Sequence, residues 1–398
     1  MWREKEESNR EVALNLLDKH GFQNAVPVGT KPFSNEIVWA DYGNLDRFLG
    51  VLLARAGTGK SVFLSFLAWW FRLSRDCATL YFDPSDELKF HKTPQTNPYA
   101  VERIKKIGFE PCGFNDNLFR LRPHCCEGDA DKKFSIEFND LKEFGDQEFE
   151  YLLSSLLGVK YDSPAQRRAI GKMARMQVAK MQDVPWSYRH FRDEMEEKGE
   201  LASAGQLGLN IDLVDSYNVF KGEKFDFKAA LNERKVLALL GSQAGNTEIA
   251  RLHAFHCTYL ATALYEWKRR ELIPETFVAR EETSYALQSL EGRVIVDHEI
   301  SKERKAGNHA AYVLQNIGQV PQGLLFQMLD TCICFGTKMP LQQARLVADA
   351  KMLDDFAVEK IMDLNADLRP SQWWVVDAFG DLQVFVPFTP PSQFHVVR

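Results

Sequence analysis

Eight consecutive residues, Ala54-Arg55-Ala56-Gly57-Thr58-Gly59-Lys60-Ser61, combine two glycines, a lysine and a hydroxyl at the spacing of a phosphate-binding loop. The chemistry is local. Gly57 and Gly59 allow backbone conformations closed to other residues, so successive N–H groups can turn inward on an anion. A helix opening at the loop adds its positive dipole end. Lys60 would reach the β- and γ-phosphates, and the Ser61 hydroxyl would ligate Mg²⁺. The cradle runs from Ala54 through Val62, with Ala54 in place of the usual first glycine. An ordinary glycine-rich turn is the bland alternative, and the flanks decide against it. An apolar run, 48–53, precedes the loop, and a helical pattern over 61–75 follows it.

A second group capable of chemistry is Arg280-Glu281-Glu282, at the end of the short apolar run 276–279. Adjacent residues on a strand point to opposite sides, so the two carboxylates divide the work. Glu281 is assigned to the metal and Glu282 to the water, as general base. A solvated acidic pair is the competing reading. Gln315 stands at the tip of a strand over 310–314, where an amide can sense a γ-phosphate by hydrogen bonding. Asp83 and Glu87 follow a strand over 78–82, on the edge where open α/β sheets bind ligands; a solvated acidic turn fits them equally. His124-Cys125-Cys126, with Cys112 and His91, offers zinc-ligand types but no paired C-x-x-C spacing.

These residues need elements to hold them. Strand 48–53, helix 61–75 and strand 78–82 imply a parallel crossover. Strands over 235–240, 276–280, 310–314 and 331–336, with a helix over 247–270, continue the same pattern. Residues 373–387 read as a β-hairpin. Between 141 and 222 the apolar residues recur at helical spacing, which predicts an all-α insertion. The chain opens with a helix over 3–20 ended by Gly21, an irregular connection marked by Pro27, Gly29 and Pro32, and a short strand over 37–40. The fold class expected is α/β, a mostly parallel sheet with helices on both faces and an inserted all-α subdomain. The divisions are an N-terminal arm (1–46), a first core segment (47–140), the all-α insertion (141–230) and a second core segment with the C-terminal hairpin (231–398). Residues 90–140, broken by prolines, give no clear pattern.

Composition sets the outer bounds. The 398 residues, 45% hydrophobic and 26% charged, are those of a globular protein. A net charge of −6 argues against a basic coat on nucleic acid, while leaving room for local basic grips. Seven scattered cysteines read as reduced thiols. No apolar run approaches a membrane span and residues 1–7 are not a signal peptide, so the expected location is cytoplasmic, or peripheral at the inner face of a membrane.

In this order the motifs resemble the HerA/FtsK superfamily of P-loop motors, and within it the ATPase domain of conjugative and type IV secretion motors. The resemblance runs over 48–387. It rests on residues 54–61, 82–87 and 277–282, and on Arg304-Lys305-Ala306-Gly307-Asn308-His309 with Gln315. It implies the RecA-like P-loop NTPase fold, ATP hydrolysis with Mg²⁺, and a homohexameric ring with ATP sites at subunit boundaries around a channel for DNA. Lys60, Glu282, Arg304 and Gln315 would be the catalytic set, with Arg304 as an arginine finger acting on a neighbouring subunit; Arg293 and Arg345 are the alternatives. The implied partners are other copies of the chain, DNA or a DNA–protein substrate, and a membrane-bound secretion or conjugation complex or a capsid. The sequence departs from the family pattern at Ala54, at Arg280 before the acidic pair, at Glu281 where aspartate is usual, and after Gln315. Two other functions compete: a P-loop kinase, which would want an arginine-rich lid behind the loop, and a nucleotide-binding assembly scaffold with slow or no hydrolysis.

Overall fold

A computed structural model describes residues 2–43, 47–54, 57–83, 86–144, 212–214, 216–241, 247–281, 283, 307–315, 332–336, 340–369 and 371–394, with isolated positions between 149 and 197. The described strands form one sheet. In chain order they are β1 (Ala25–Thr30), β2 (Ile37–Asp41), β3 (Leu49–Leu53), β4 (Ala78–Asp83), β5 (Leu118–Pro123), β6 (Lys132–Phe134), β7 (Val236–Leu240), β8 (Thr276–Arg280), β9 (His309–Leu314), β10 (Cys332–Phe335), β11 (Trp373–Val376) and β12 (Leu382–Pro387). Their spatial order is β2-β1-β12-β11-β10-β3-β9-β8-β4-β7-β5-β6. The block from β10 to β6 is parallel throughout, and the strands beyond β10 pair antiparallel. The α/β expectation, mostly parallel with helices on both faces, holds.

The central strands are buried along their whole length, as parallel strands covered on both faces must be. Alternation then sorts their side chains into two core layers. Leu49, Val51, Leu53, Ala310, Tyr312 and Leu314 enter one layer, while Leu52, Ala311 and Val313 enter the other. Helix α2 (Lys60–Arg75) fills the second layer with Phe63, Phe66, Leu67, Trp70 and Phe71. The first is covered by Leu252, Phe255, Leu260 and Leu264, all within the helix Thr247–Arg269. N-terminal helix α1 (Trp2–His20) rests against α2, where Arg72 Nε donates to Glu6 Oε1 at 2.6 Å.

The N-terminal segment departs from its sequence reading. The stretch expected to be irregular is β1, paired on one side with β2 and on the other with β12. Pro27 is accommodated because the register shifts between Pro27 and Gly29. Gly29 is required for close approach, since a Cβ there would collide with the Val386 carbonyl oxygen. Sequence reading also passed over α3 (Pro98–Lys106), whose cap is Asn97, and a helical pair, Leu341–Ala350 and Asp355–Asp367. Most of the expected all-α insertion lies outside the described residues. Within it Leu152, Leu153, Leu156 and Leu157 are helical and buried in the first core layer. After β12 the chain crosses α2, where Trp69 Nε1 donates to Ser392 Oγ at 2.8 Å and His91 Nδ1 meets the same hydroxyl at 2.7 Å. Among the described residues no helix is long and apolar enough to cross a membrane.

Candidate functional site

Ala54 continues β3 by donating its N–H to the Leu314 carbonyl, and it is fully buried, so the small side chain at the usual glycine position has room. Gly57 and Gly59 then take left-handed backbone at φ +77° and +88°. A Cβ at either would touch nothing within 4 Å, so backbone conformation, not crowding, requires glycine. Gly59 caps α2, and the first intrahelical bond runs from Phe63 N–H to Gly59 O at 3.0 Å. The N–H groups ahead of Phe63 therefore lie outside the ladder of the helix, at its positive end. Lys60, Ser61 and Val62, on the first turn, are each half-buried.

Strand register places the acidic tip on the same edge. Arg280 stands opposite Tyr312, and Tyr312 opposite Val51. Glu281, one residue further, is level with the last residues of β3, two strand spacings or about 10 Å away across the sheet. Gln315 is exposed at the tip of β9, next to the residue that receives the Ala54 N–H. The geometry thus gathers the loop, Glu281 and Gln315 at the carboxyl ends of β3, β8 and β9. Arg55, Ala56, Glu282, Arg293 and Arg304 lie outside the described residues. Arg345 is exposed on the helix Leu341–Ala350.

Glu281 is buried, its N–H bonded to Phe82 O, and its Oε1 accepts the Tyr81 hydroxyl at 2.9 Å. Burial and the neighbouring carboxylates hold the Tyr81 phenol well above its ordinary pKa, so it remains a donor. Sequence reading left Tyr81 unassigned; its one signal was a phenol within a strand otherwise buried and apolar, since a buried hydroxyl needs a partner. Tyr81→Phe is expected to destabilise the fold by about 1.5–3 kcal/mol, the worth of a hydrogen bond to a charged group, measured as a shift in chemical denaturation. Arg280 finds its partner on the ring of Phe82, with the guanidinium carbon 4.1 Å from the centroid.

Asp83 and Asp86 are buried rather than solvated, while the Glu87 side chain lies outside the described residues. Asp83 is buried, and its Oδ2 accepts the Leu88 N–H at 2.9 Å, capping the 3-10 turn Glu87–Lys92. Asp86 accepts two bonds from Arg120, at 2.9 and 2.7 Å. These contacts fix the loop between β4 and α3. The zinc alternative also dissolves. His91 serves Ser392, Cys112 is met by Asn9 Nδ2, and His124 Nε2 accepts the Glu223 N–H. Among the described residues the ligand-type atoms that converge are those of Cys77, Glu275 and His309, at the opposite edge of the sheet. There Phe48 N–H donates to His309 Nδ1 at 2.8 Å, which fixes the proton on Nε2, facing Glu275 at 3.6 Å. A metal would need the Nε2 lone pair, so this group is a brace between strand starts rather than an ion site.

No family model matches the chain, and no curated protein matches it in sequence. Solved structures do. VirB4 of Thermoanaerobacter pseudethanolicus superposes with a TM-score of 0.62 at 13% identity, over 92% of this chain and 97% of that one. The bacterial conjugative coupling protein TrwB, in complex with sulphate, gives 0.54 at 15% identity, over 89% of this chain and 88% of that one. TrwB with the non-hydrolysable ATP analogue ADPNP gives 0.51 at 13% identity, over 89% and 87%. The chain therefore has the fold of VirB4 and the TrwB coupling protein, the fold that the order of its motifs implied.

Proposed function

We propose that the chain is an ATP-hydrolysing ring motor that moves DNA, or a DNA–protein substrate, in conjugation, secretion or packaging. The observation that carries this reading is the shared edge: a left-handed glycine loop at the N-terminus of α2, with a buried carboxylate at the tip of β8 beside it. The likeness to a conjugative coupling protein that carries an ATP analogue supports it.

In this reading residues 54–62 hold the phosphates through backbone N–H groups, and Lys60 places its charge on the β- and γ-phosphates. The cradle fits such a group, because both glycines already have the required backbone. Ser61 and Glu281 would hold Mg²⁺, which when bound neutralises charge on the phosphate oxygens. Tyr81 orients the Glu281 carboxylate. Glu282 takes the proton of the attacking water, Gln315 senses the terminal phosphate, and Arg304 reaches the nucleotide of a neighbouring copy. The assembly is a homohexamer, working in the cytoplasm or against a membrane-bound secretion or conjugation complex, or on a capsid.

The test is phosphate release by the full chain with ATP and Mg²⁺, alone and with single- or double-stranded DNA, beside the mass of the assembly with ATP. DNA-stimulated release from a six-copy particle is expected. Absence of release under every condition, or release indifferent to DNA, would overturn the motor reading.

A further inference from the structure

A pocket of about 440 Å³ lies away from the nucleotide edge, between the turn joining β1 to β2, the end of β12 and helix α3. Its walls bring three cations together, Lys31, Arg103 and Lys106, beside the polar side chains of Ser34 and Asn35. Arg103 is half-buried; burial pulls its pKa down, and among the described residues no carboxylate opposes the shift. Lys31 pairs with Glu36 and Lys106 with Glu102, but both pairs are exposed, and such pairs exchange partners at little cost. At the mouth stands Phe33, 87% exposed, with its backbone in the left-handed region at φ +65°. A non-glycine residue there is strained, and its aromatic ring stands out in water. The Arg369 guanidinium lies 5.3 Å from the ring centroid, adding a fourth cation to the rim.

An aromatic face open to solvent beside a cationic pocket is the pairing that grips an unstacked base and its phosphate. We infer that this pocket binds one nucleotide of single-stranded DNA, its phosphate on Arg103, Lys31 and Lys106 and its base against Phe33. A duplex cannot offer that base face without unstacking. The inference deepens the motor reading by naming the form in which the polymer is held, and it rests on that reading for DNA as the polymer.

The experiment is equilibrium binding of a fluorescein-labelled oligothymidylate to the full chain without ATP, at several salt concentrations, beside a duplex of equal length. Phe33→Ala is expected to weaken single-strand binding by about 5- to 100-fold and leave duplex binding unchanged. Arg103→Gln is expected to reduce the slope of log affinity against log salt by about 0.7. Phe33 is on the surface, so its variant folds, and a thermal melt of both variants verifies this. Wild-type single-strand binding by both variants, or duplex bound as tightly as single strand, would overturn the inference. ATP-driven phosphate release without DNA is read in parallel, and Phe33→Ala should leave it unchanged. Loss of release in the wild type sinks the motor reading, whereas loss of the Phe33 effect sinks only the pocket.

Discussion

Arg304→Ala is expected to lower phosphate release by about 10³–10⁵-fold while leaving ATP affinity and the mass of the assembly nearly unchanged. The size of the effect separates an arginine that stabilises the transferring phosphoryl group from a surface arginine, whose removal barely alters turnover. The action of Arg304 between subunits is what the resemblance implies; the residues described next to it are Gly307 and β9. Gly307, three residues on, takes left-handed backbone at φ +76° just ahead of β9. His309, the first residue of β9, is locked by the Phe48 N–H at the edge opposite residues 54–62. Six strand residues, about 20 Å, separate that edge from the loop. Glu282→Gln is the companion variant: a loss of about 10²–10⁴ with ATP retained, since only the proton acceptor is removed. Release at the wild-type rate in Arg304→Ala would remove it as the finger and return Arg293 and Arg345 to consideration.

Mild acid is expected to unfold the protein. His91 and His256 are buried and His253 is half-buried, all neutral; desolvation pulls the pKa of His91 and His253 down to about 3 and that of His256 to about 4. Among the described residues no carboxylate opposes these shifts. Arg280 and Arg122 add to the cost of charging His253. The bond from His256 Nδ1 to the Leu252 carbonyl at 2.7 Å favours the charged ring, but desolvation outweighs it. In the unfolded chain all three titrate near 6.5. The unfolded state therefore takes up protons first as the pH falls below that value. The stability these groups contribute is complete above about pH 7.5 and drains away as the pH falls through about 6.5 toward about 3. Three such groups give a slope approaching about 4 kcal/mol per pH unit below pH 6, against a total stability of about 5–15 kcal/mol. Urea midpoints at pH 7, 6 and 5 should fall steeply below pH 6, and His91→Asn should remove about a third of the slope. A midpoint constant from pH 7 to pH 5 would contradict the account.

The parallel core was legible because its strands are buried on both faces and so read as unbroken apolar runs, as at 48–53 and 235–240. The loop was legible because its chemistry is local: two glycines, a lysine and a hydroxyl within five residues. What escaped was set by contacts distant in sequence. β1 contains Pro27 and Gly29, which mark loops until β12 is seen to run beside them. Tyr81 looks like core until Glu281, two hundred residues away, accepts its hydrogen bond. Asp83 and Asp86 look solvated until Leu88 and Arg120 are in place. His91, Cys112 and His124 share ligand chemistry in the sequence, yet each is drawn to a different partner in space. The cationic pocket joins residues near 31 and 103 to the end of β12, and no local pattern announces it.

A crystal structure with a non-hydrolysable ATP analogue and Mg²⁺ measures the central claim directly, through two distances from the γ-phosphate. Lys60 Nζ within hydrogen-bonding reach of a γ-phosphate oxygen, with the Glu282 carboxylate one water away from the phosphorus, is the predicted result. An analogue bound elsewhere, or a Glu282 carboxylate on the far side of the sheet from Lys60, would contradict it.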